Sequence, residues 1–291
     1  MGDNVRELAS AFSTRVLREL SRPHPAAWAR ERVAPVAALV EGDSPLSVAF
    51  EVAYQRLVGA YRCEHVYKTA VIQHALATEP TANAMTGLPV FLSIADVVVA
   101  GNAASAFEIK TDLDSLARLE LQLVSYSRCF EYVHVVTSRA KASRVIDELP
   151  DHVGVLAVDD SVTLSAVRPA VGGYSRINTT SLFRVLRQGE RLAVLERQLG
   201  YSADVPSARL YHRTAELFAC LSTETAYTEF VTELRNRDAR QRIASTEAGL
   251  PPSLIAAAAG LRLSAVAWQR LGHLLQRPAA PLTDTTHGWA A

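Results

Sequence analysis

Lysine is scarce in this chain of 291 residues, although basic side chains are not. Of its 30 basic residues only three are lysines, Lys68, Lys110 and Lys141, and the others are arginines. Its 30 acidic residues bring the formal net charge to zero. Proteins that hold nucleic acid mainly through its phosphates usually carry a basic excess. Neutrality is therefore a mild argument against tight nonspecific DNA binding. Residues 176–277 hold fourteen arginines against nine acidic residues, an excess that an ordinary solvated helical surface also explains.

Cysteine and long apolar runs are scarce as well. Cys63, Cys129 and Cys220 lie far apart without a Cys-x-x-Cys spacing, which argues against a disulfide framework and a zinc site. We expect three reduced thiols that serve as buried packing residues. No apolar run approaches the roughly 20 residues that span a bilayer, and the first residues show no apolar signal region. These features predict a cytoplasmic protein with no membrane contact.

Common phosphate-binding and nucleophile motifs are missing too. The sequence contains no Gly-x-x-x-x-Gly-Lys-Ser/Thr loop, no Gly-x-Gly-x-x-Gly and no Gly-x-Ser-x-Gly, so nucleotide-binding and hydrolase-elbow interpretations lack support.

The rare lysines are more informative. Where a general positive charge suffices this chain uses arginine, so a retained lysine indicates a need for a compact ammonium group.

Hydrophobic periodicity divides the chain into helical ends and a strand-rich middle. Helices are predicted at 3–20, from the break at 21–25 to about Val40, and at 46–77 with a break near Gly59. Between 60 and 158 the predicted order is helix, three strands, helix, strand, helix, strand. Strand character ends by Pro169. The predicted divisions are a helical region at 1–59, an α/β core at 60–170, an all-α domain at 171–277 and a flexible tail at 278–291.

A hairpin in the strand-rich middle brings acidic residues together. The dipeptide Gly101-Asn102 lies between two apolar runs and predicts a tight turn. A reversal centred on Asn102 pairs Val98 with Ala106 and Asp96 with Glu108. Directly opposed residues share a sheet face with Cβ atoms about 4.5–5.5 Å apart, and Lys110 lies two residues further along the same face.

Two opposed carboxylates repel, and a plain structural sheet avoids them. A divalent cation turns the pair into ligands, because hard cations select carboxylate oxygens. The neighbouring Lys110 could then activate a water molecule or balance charge on a leaving group. The alternative is an exposed hairpin end where three charges meet by chance.

Two flanking helices carry residues at matching spacing. Glu64 and Lys68 are four residues apart on the helix before the sheet, and Gln122 and Tyr126 are four apart on the helix after it. Each has a plain structural interpretation: a surface ion pair for the first two, a core tyrosine and a surface glutamine for the others.

Together these residues resemble the PD-(D/E)xK nuclease superfamily. The resemblance consists of Glu64 on a helix, Asp96 on a strand, Glu108-Ile109-Lys110 on the next strand and Gln122-x-x-x-Tyr126 on the following helix. The last element is similar to that of the RecB-type branch. The resemblance covers about residues 60–158 and implies a restriction-endonuclease-like αβββαβ core, with additional N-terminal helices and a C-terminal all-α region. The chain departs from the name motif in having Ala95 where proline would precede the aspartate.

The resemblance also implies roles. Asp96, Glu108 and the backbone carbonyl of Ile109 would bind Mg²⁺ or Mn²⁺, with Glu64 supporting this metal or a second one. Lys110 would orient or activate the attacking water. Gln122 and Tyr126 would brace the site or contact the nucleic acid, and Lys68 would belong to the same catalytic set.

The sequence thus predicts a metal-dependent nuclease that acts on DNA, with RNA as the less favoured substrate. The settings implied by the superfamily are phage defence, restriction, repair and toxin action, and homo-oligomerisation stays open. One alternative is a catalytically inactive nuclease-like module that binds nucleic acid or a protein. Another is a helical interaction protein in which the hairpin charges are incidental.

Overall fold

The structure is a computed structural model that describes residues 2–280, with side chains from Val5 onward. The chain divides into two compact units. The first comprises the described parts of Met1–Gln73, Val158–Thr163 and Asp238–Ala291, and the second comprises His74–Ala157 and Leu164–Arg237. The boundaries of these two units differ from the domain boundaries predicted after residues 59, 170 and 277. The predicted domains stay a prediction.

The first unit is helical. Its helices are α1 (Gly2–Ala11), α2 (Thr14–Leu20), α3 (Ala27–Ala37), α4 (Leu46–Ala60), most of α5 (Glu64–Thr78), α12 (Ala239–Glu247), α13 (Ile255–Ala259) and α14 (Ala265–Leu275). The single helix expected at 3–20 is therefore two helices. Ser13 separates them, because its extended backbone starts a new helix and its Oγ accepts a hydrogen bond from the Val16 amide.

The start of the predicted tail is held by the loop before α4. Pro278 forms a β-bridge with Pro45, and the Ala279 amide donates to the Ser44 carbonyl at 2.9 Å. Ala279 is buried. Residues 278–280 of the predicted tail are therefore packed against this loop, and 281–291 lie outside the described residues, so the flexible tail stays a prediction.

The second unit is mixed α/β. Its strands are β1 (Asn83–Val90), β2 (Ser93–Ala100), β3 (Ala104–Lys110), β4 (Tyr132–Ser138), β5 (Gly154–Val158) and β6 (Leu164–Arg168). Its further helices are α6 (Leu119–Ser127), α7 (Arg139–Ile146), α8 (Thr179–Val185), α9 (Gln188–Leu199), α10 (Ser207–Ala219) and α11 (Thr223–Asn236). The strands form one sheet in the order β1 to β6. β1–β2 and β2–β3 are antiparallel and β3–β4 is parallel.

The predicted order of helices and strands up to residue 158 is confirmed, and two details differ. β6 was not predicted, since its five residues have no apolar run, and none of them is buried. The helix predicted after the third strand starts only at Leu119, because Asp114 binds the backbone and hydroxyl of Thr111 and holds the segment before it as a turn.

β3 and α6 position the candidate site. Nearly every residue of β3 is buried, and the inward side of α6 presents Leu119, Leu123 and Tyr126 to the same core. That burial fixes the rotation of α6 about its axis, because an amphipathic helix turns its apolar stripe to the core. Gln122 and Tyr126, one turn apart, are thereby aligned along one flank of the helix.

The described chain has no helix with the length and hydropathy of a bilayer-spanning segment. All three cysteines are free thiols. Cys129 is buried as expected, whereas Cys63 is half-buried and Cys220 is exposed. The expectation of a buried packing role is thus wrong for Cys220, which occupies the solvent side at the end of α10.

Candidate active site

The hairpin of β2 and β3 has the register predicted from its turn. Ala100 pairs with Ala104, and Val98 pairs with Ala106. At the turn, the Asn102 amide donates to Glu79 Oε1 at 2.8 Å. The paired ladder ends at Val97 and Phe107, although both strands continue. Extending the register by one residue would set Asp96 against Glu108, at the point where the two strands part.

Asp96 bridges the parting strands with its side chain. Its Oδ2 accepts a hydrogen bond from the Ile109 amide at 2.8 Å, which replaces the missing ladder contact. On the same face of β2, Val98 is buried and Ile94 is exposed, with the half-buried Asp96 between them. The carboxylate therefore lies where the buried sheet face meets solvent.

Glu108 and Lys110 form an ion pair inside the protein. Lys110 Nζ lies 2.8 Å from Glu108 Oε1, and the residues are only 6% and 2% exposed. The Lys110 carbonyl accepts from Thr137 Oγ1 on β4 at 2.7 Å. Taking two charges out of water costs several kcal/mol per ion, and lysine and glutamate are almost never buried to this extent without a partner. Ordinary sheet packing does not call for such a pair.

Gln122 and Tyr126 of α6 complete the cluster. Lys110 Nζ also donates to Gln122 Oε1 at 3.0 Å. The Tyr126 hydroxyl lies 2.8 Å from Glu108 Oε2 and 2.8 Å from the Ile94 carbonyl, so its single proton serves one of these acceptors at a time. Burial, followed by the negative charge of Glu108, raises the pKa of Tyr126 well above its usual value. The phenol stays protonated and acts as a donor.

Glu64 and Lys68 form an ion pair with each other on α5. The Glu64 side chain is 58% exposed and that of Lys68 is 18% exposed. They belong to the first compact unit, whereas the other predicted site residues belong to the second. The roles of Glu64 in metal binding and of Lys68 in catalysis stay predictions.

The donor set suits a hard cation. Among the described residues, no group of three or more histidine, cysteine, aspartate or glutamate side chains is arranged to hold a metal. Mg²⁺ does not need one, because it usually binds through one or two carboxylates and keeps several waters or phosphate oxygens. Asp96 and Glu108 are two carboxylates of this kind, and the part of the Ile109 carbonyl as a further ligand stays a prediction. Each Glu108 oxygen retains lone-pair capacity beyond its contact to Lys110 or Tyr126.

The structure adds residues near the site that the sequence analysis missed. Lys141 Nζ donates to the carbonyls of Thr111 and Asp114 at 2.9 and 2.7 Å, and Ser138 Oγ hydrogen-bonds to Asp112. These contacts tie the segment after β3 to the start of α7. The only signal in the sequence was the rarity of lysine.

The chain matches one described family. The family described as "Bacteriophage P4 protein cII" matches residues 58–243, a segment that includes every predicted site residue. "Protein cII" of Enterobacteria phage P4 is 31% identical over 146 residues, which are 49% of this chain and 54% of that protein. The chain thus spans about half the length of this relative. No solved structure matches the chain. Because the match covers well over half of its residues, the chain belongs to the bacteriophage P4 protein cII family.

Proposed function

We propose that the protein is a metal-dependent nuclease that hydrolyses phosphodiester bonds in DNA, with RNA as the less favoured substrate. The observation that carries the proposal is the buried Glu108–Lys110 pair on β3 beside Asp96, where the ladder between β2 and β3 ends. Buried glutamate and lysine side chains are rare and costly, and these two lie next to a further carboxylate. The resemblance of these residues to the PD-(D/E)xK nucleases, with its restriction-endonuclease-like core, is consistent with that interpretation.

Asp96, Glu108 and the Ile109 carbonyl would hold Mg²⁺ or Mn²⁺. A bound divalent ion would lower the pKa of coordinated water and stabilise charge on the phosphate oxygens. Lys110 would hold the attacking water with its ammonium group, of which the contacts to Glu108 and Gln122 use two of three donors. Tyr126 would orient Glu108, and Gln122 would orient Lys110.

The decisive experiment is metal-dependent cleavage of plasmid and single-stranded DNA. Asp96→Asn is the cleaner variant, because an amide oxygen still accepts from the Ile109 amide while the negative charge is lost. We expect at least a hundredfold loss of cleavage, about the scale of removing one charge-stabilising group from an active site. Lys110→Ala should also abolish cleavage, but it leaves Glu108 buried without its ion partner, which costs about 3–5 kcal/mol of stability.

Glu120→Gln is the matched control, since Glu120 is an exposed carboxylate on α6. It should cleave as the native chain does, and circular dichroism should show all three variants folded. Equal cleavage by the native protein and by both site variants would refute the assignment. Nucleic-acid binding without cleavage by the native protein would favour the alternative, a catalytically inactive nuclease-like binding module.

A further inference from the structure

The hairpin between β1 and β2 ends in large apolar side chains exposed to solvent. Val90 pairs with Ser93, so Phe91 and Leu92 are the two central residues of the turn. Phe91 is 52% exposed, Leu92 is 72% exposed, and Ile94 on the adjoining strand is 61% exposed. These three large apolar side chains, within four residues of sequence, are not used by the fold as core.

The backbone conformation at the tip of this hairpin is unfavourable for Phe91. Phe91 has φ of +56°, a conformation that glycine or asparagine normally supplies at the first position of a two-residue hairpin turn. A bulky residue at positive φ is uncommon and costs on the order of 1 kcal/mol or more. Glycine would fold more easily here, so the fold itself does not require the aromatic ring.

The tip adjoins the candidate active site. The Ile94 carbonyl lies 2.8 Å from the Tyr126 hydroxyl, which also contacts Glu108. Ser93 Oγ lies 3.5 Å from Ser125 Oγ on α6. Asp96 is two residues beyond Ile94 on the same face of β2. The segment that carries the exposed apolar residues is thus in direct contact with Tyr126, one of the proposed site residues.

A cation accompanies the exposed ring. The guanidinium carbon of Arg184 on α8 lies 5.9 Å from the centroid of the Phe91 ring, within the range of a cation–π contact. Arg184 is exposed, and no ion pair is found for it within the described residues. An aromatic face and a charged guanidinium occur together beside a site that would cut phosphodiesters.

We propose that Phe91, Leu92, Ile94 and Arg184, here called the hairpin platform, bind the unpaired bases of a single nucleic-acid strand. A base stacks on the open face of the Phe91 ring, Leu92 and Ile94 contact its neighbour, and Arg184 pairs with the phosphate between them. Stacking on aromatic side chains is tolerant of sequence and needs base faces that a duplex hides. This inference rests on the proposed function and narrows its substrate to single-stranded segments or ends.

The test is binding of fluorescent oligonucleotides to the full chain in EDTA, where metal-dependent cleavage is silent. Phe91→Gly removes the ring and suits the positive φ, so it should fold. We expect it to lose on the order of tenfold to a hundredfold affinity for a single strand and little for the matching duplex. Phe91→Trp should retain the affinity. Arg184→Gln should weaken binding of the single strand. It should also make the affinity less dependent on salt, by about the amount expected for the loss of one phosphate contact.

Leu199→Ala is the control, since Leu199 is an exposed apolar residue at the end of α9; it should bind as the native chain does. Unchanged single-strand affinity in Phe91→Gly, or no binding by the native chain, overturns the platform. So does a dimer of the native chain that Phe91→Gly dissociates in sedimentation, which would make the surface a contact between copies. Phe91-dependent binding without Mg²⁺-dependent cleavage supports the platform and removes the proposed nuclease activity.

Discussion

Glu108 is held by its neighbours more tightly than an ordinary sheet residue. Its two oxygens receive Lys110 Nζ and the Tyr126 hydroxyl, both at 2.8 Å. Each contact compensates part of the cost of burying the charge. Stability and the proposed chemistry are coupled here, because every group that could position Glu108 for a metal also keeps its charge tolerable in the folded chain.

Tyr126→Phe tests that coupling at a single atom. The variant keeps the ring in the core and leaves Glu108 Oε2 and the Ile94 carbonyl with one donor fewer. We expect the free energy of unfolding, measured in urea, to fall by about 1–3 kcal/mol, which is the usual cost of leaving a buried acceptor without its donor. Cleavage should fall as well, because Glu108 gains freedom to rotate.

Tyr211→Phe provides the comparison, since Tyr211 is 48% exposed and its hydroxyl can bond to water. Its stability should stay within about 0.5 kcal/mol of the native value. Identical unfolding curves for the two variants would mean that the Tyr126 hydroxyl contributes nothing to holding Glu108.

At the scale of elements, the sheet depends on close backbone approach around β5. A Cβ added at Gly154 would lie 2.7 Å from the Ala170 amide nitrogen and 2.7 Å from His134 Cδ2. The first of these atoms is backbone and cannot move aside without disturbing its own segment. Gly154 is therefore required by packing between neighbouring elements.

Gly154→Ala should accordingly destabilise the chain by about 1–3 kcal/mol, the range typical of overpacking. Gly189→Ala on α9 is the matched change, because nothing lies within 4 Å of a Cβ built there and alanine is the better helix former. We expect that variant to be neutral or slightly stabilising in thermal unfolding. Equal melting temperatures for the two would contradict the close approach at β5.

At the scale of the whole molecule, His65 and His134, which lie in different compact units, are packed so that protonation is disfavoured. His65 in the first unit lies 2.8 Å from the Ser253 carbonyl, and removal of solvent lowers its pKa to about 4. His134 in the second unit stacks on Phe107, and the same cause lowers its pKa to about 4. Both rings are thus neutral in the folded chain.

These shifts predict a loss of stability in acid. A histidine with a lowered pKa in the folded state contributes fully above the unfolded value near 6.5, and its contribution is lost as the pH falls toward 4. We expect the protonation of each histidine to lower the free energy of unfolding by on the order of 1–2 kcal/mol at pH 5. The free energy of unfolding, measured from pH 7.5 to 5, should fall less steeply in His134→Leu.

His212→Leu serves as the reference, since His212 is exposed on α10; the slope of stability against pH should match that of the native chain. A His134→Leu variant as sensitive to acid as the native chain would show that His134 is protonated without cost.

Local pattern was sufficient for much of the second unit. The Gly101-Asn102 turn sets the register of β2 and β3, because a hairpin loop of given length and type allows few pairings. Strict alternation along β3 then places Glu108 and Lys110 on one side. The order of strands and helices up to residue 158 follows from the same short-range periodicity.

Other features depended on contacts between distant residues. β6 lacks an apolar run of its own, and the break at Ser13 lies inside a continuous helical pattern. Whether Cys220 would be buried depended on which side of α10 faces the core.

By itself the sequence determined the neighbours of Asp96, Glu108 and Lys110 along the hairpin, since turn geometry and strand alternation act over a few residues. Only the tertiary structure decided that the Glu108–Lys110 pair is buried, that Tyr126 and Gln122 hold it, and that Phe91 stands exposed at the tip of the β1–β2 hairpin. Burial and exposure depend on which surfaces of α6, α8 and the sheet meet, and that packing is settled by the whole unit at once.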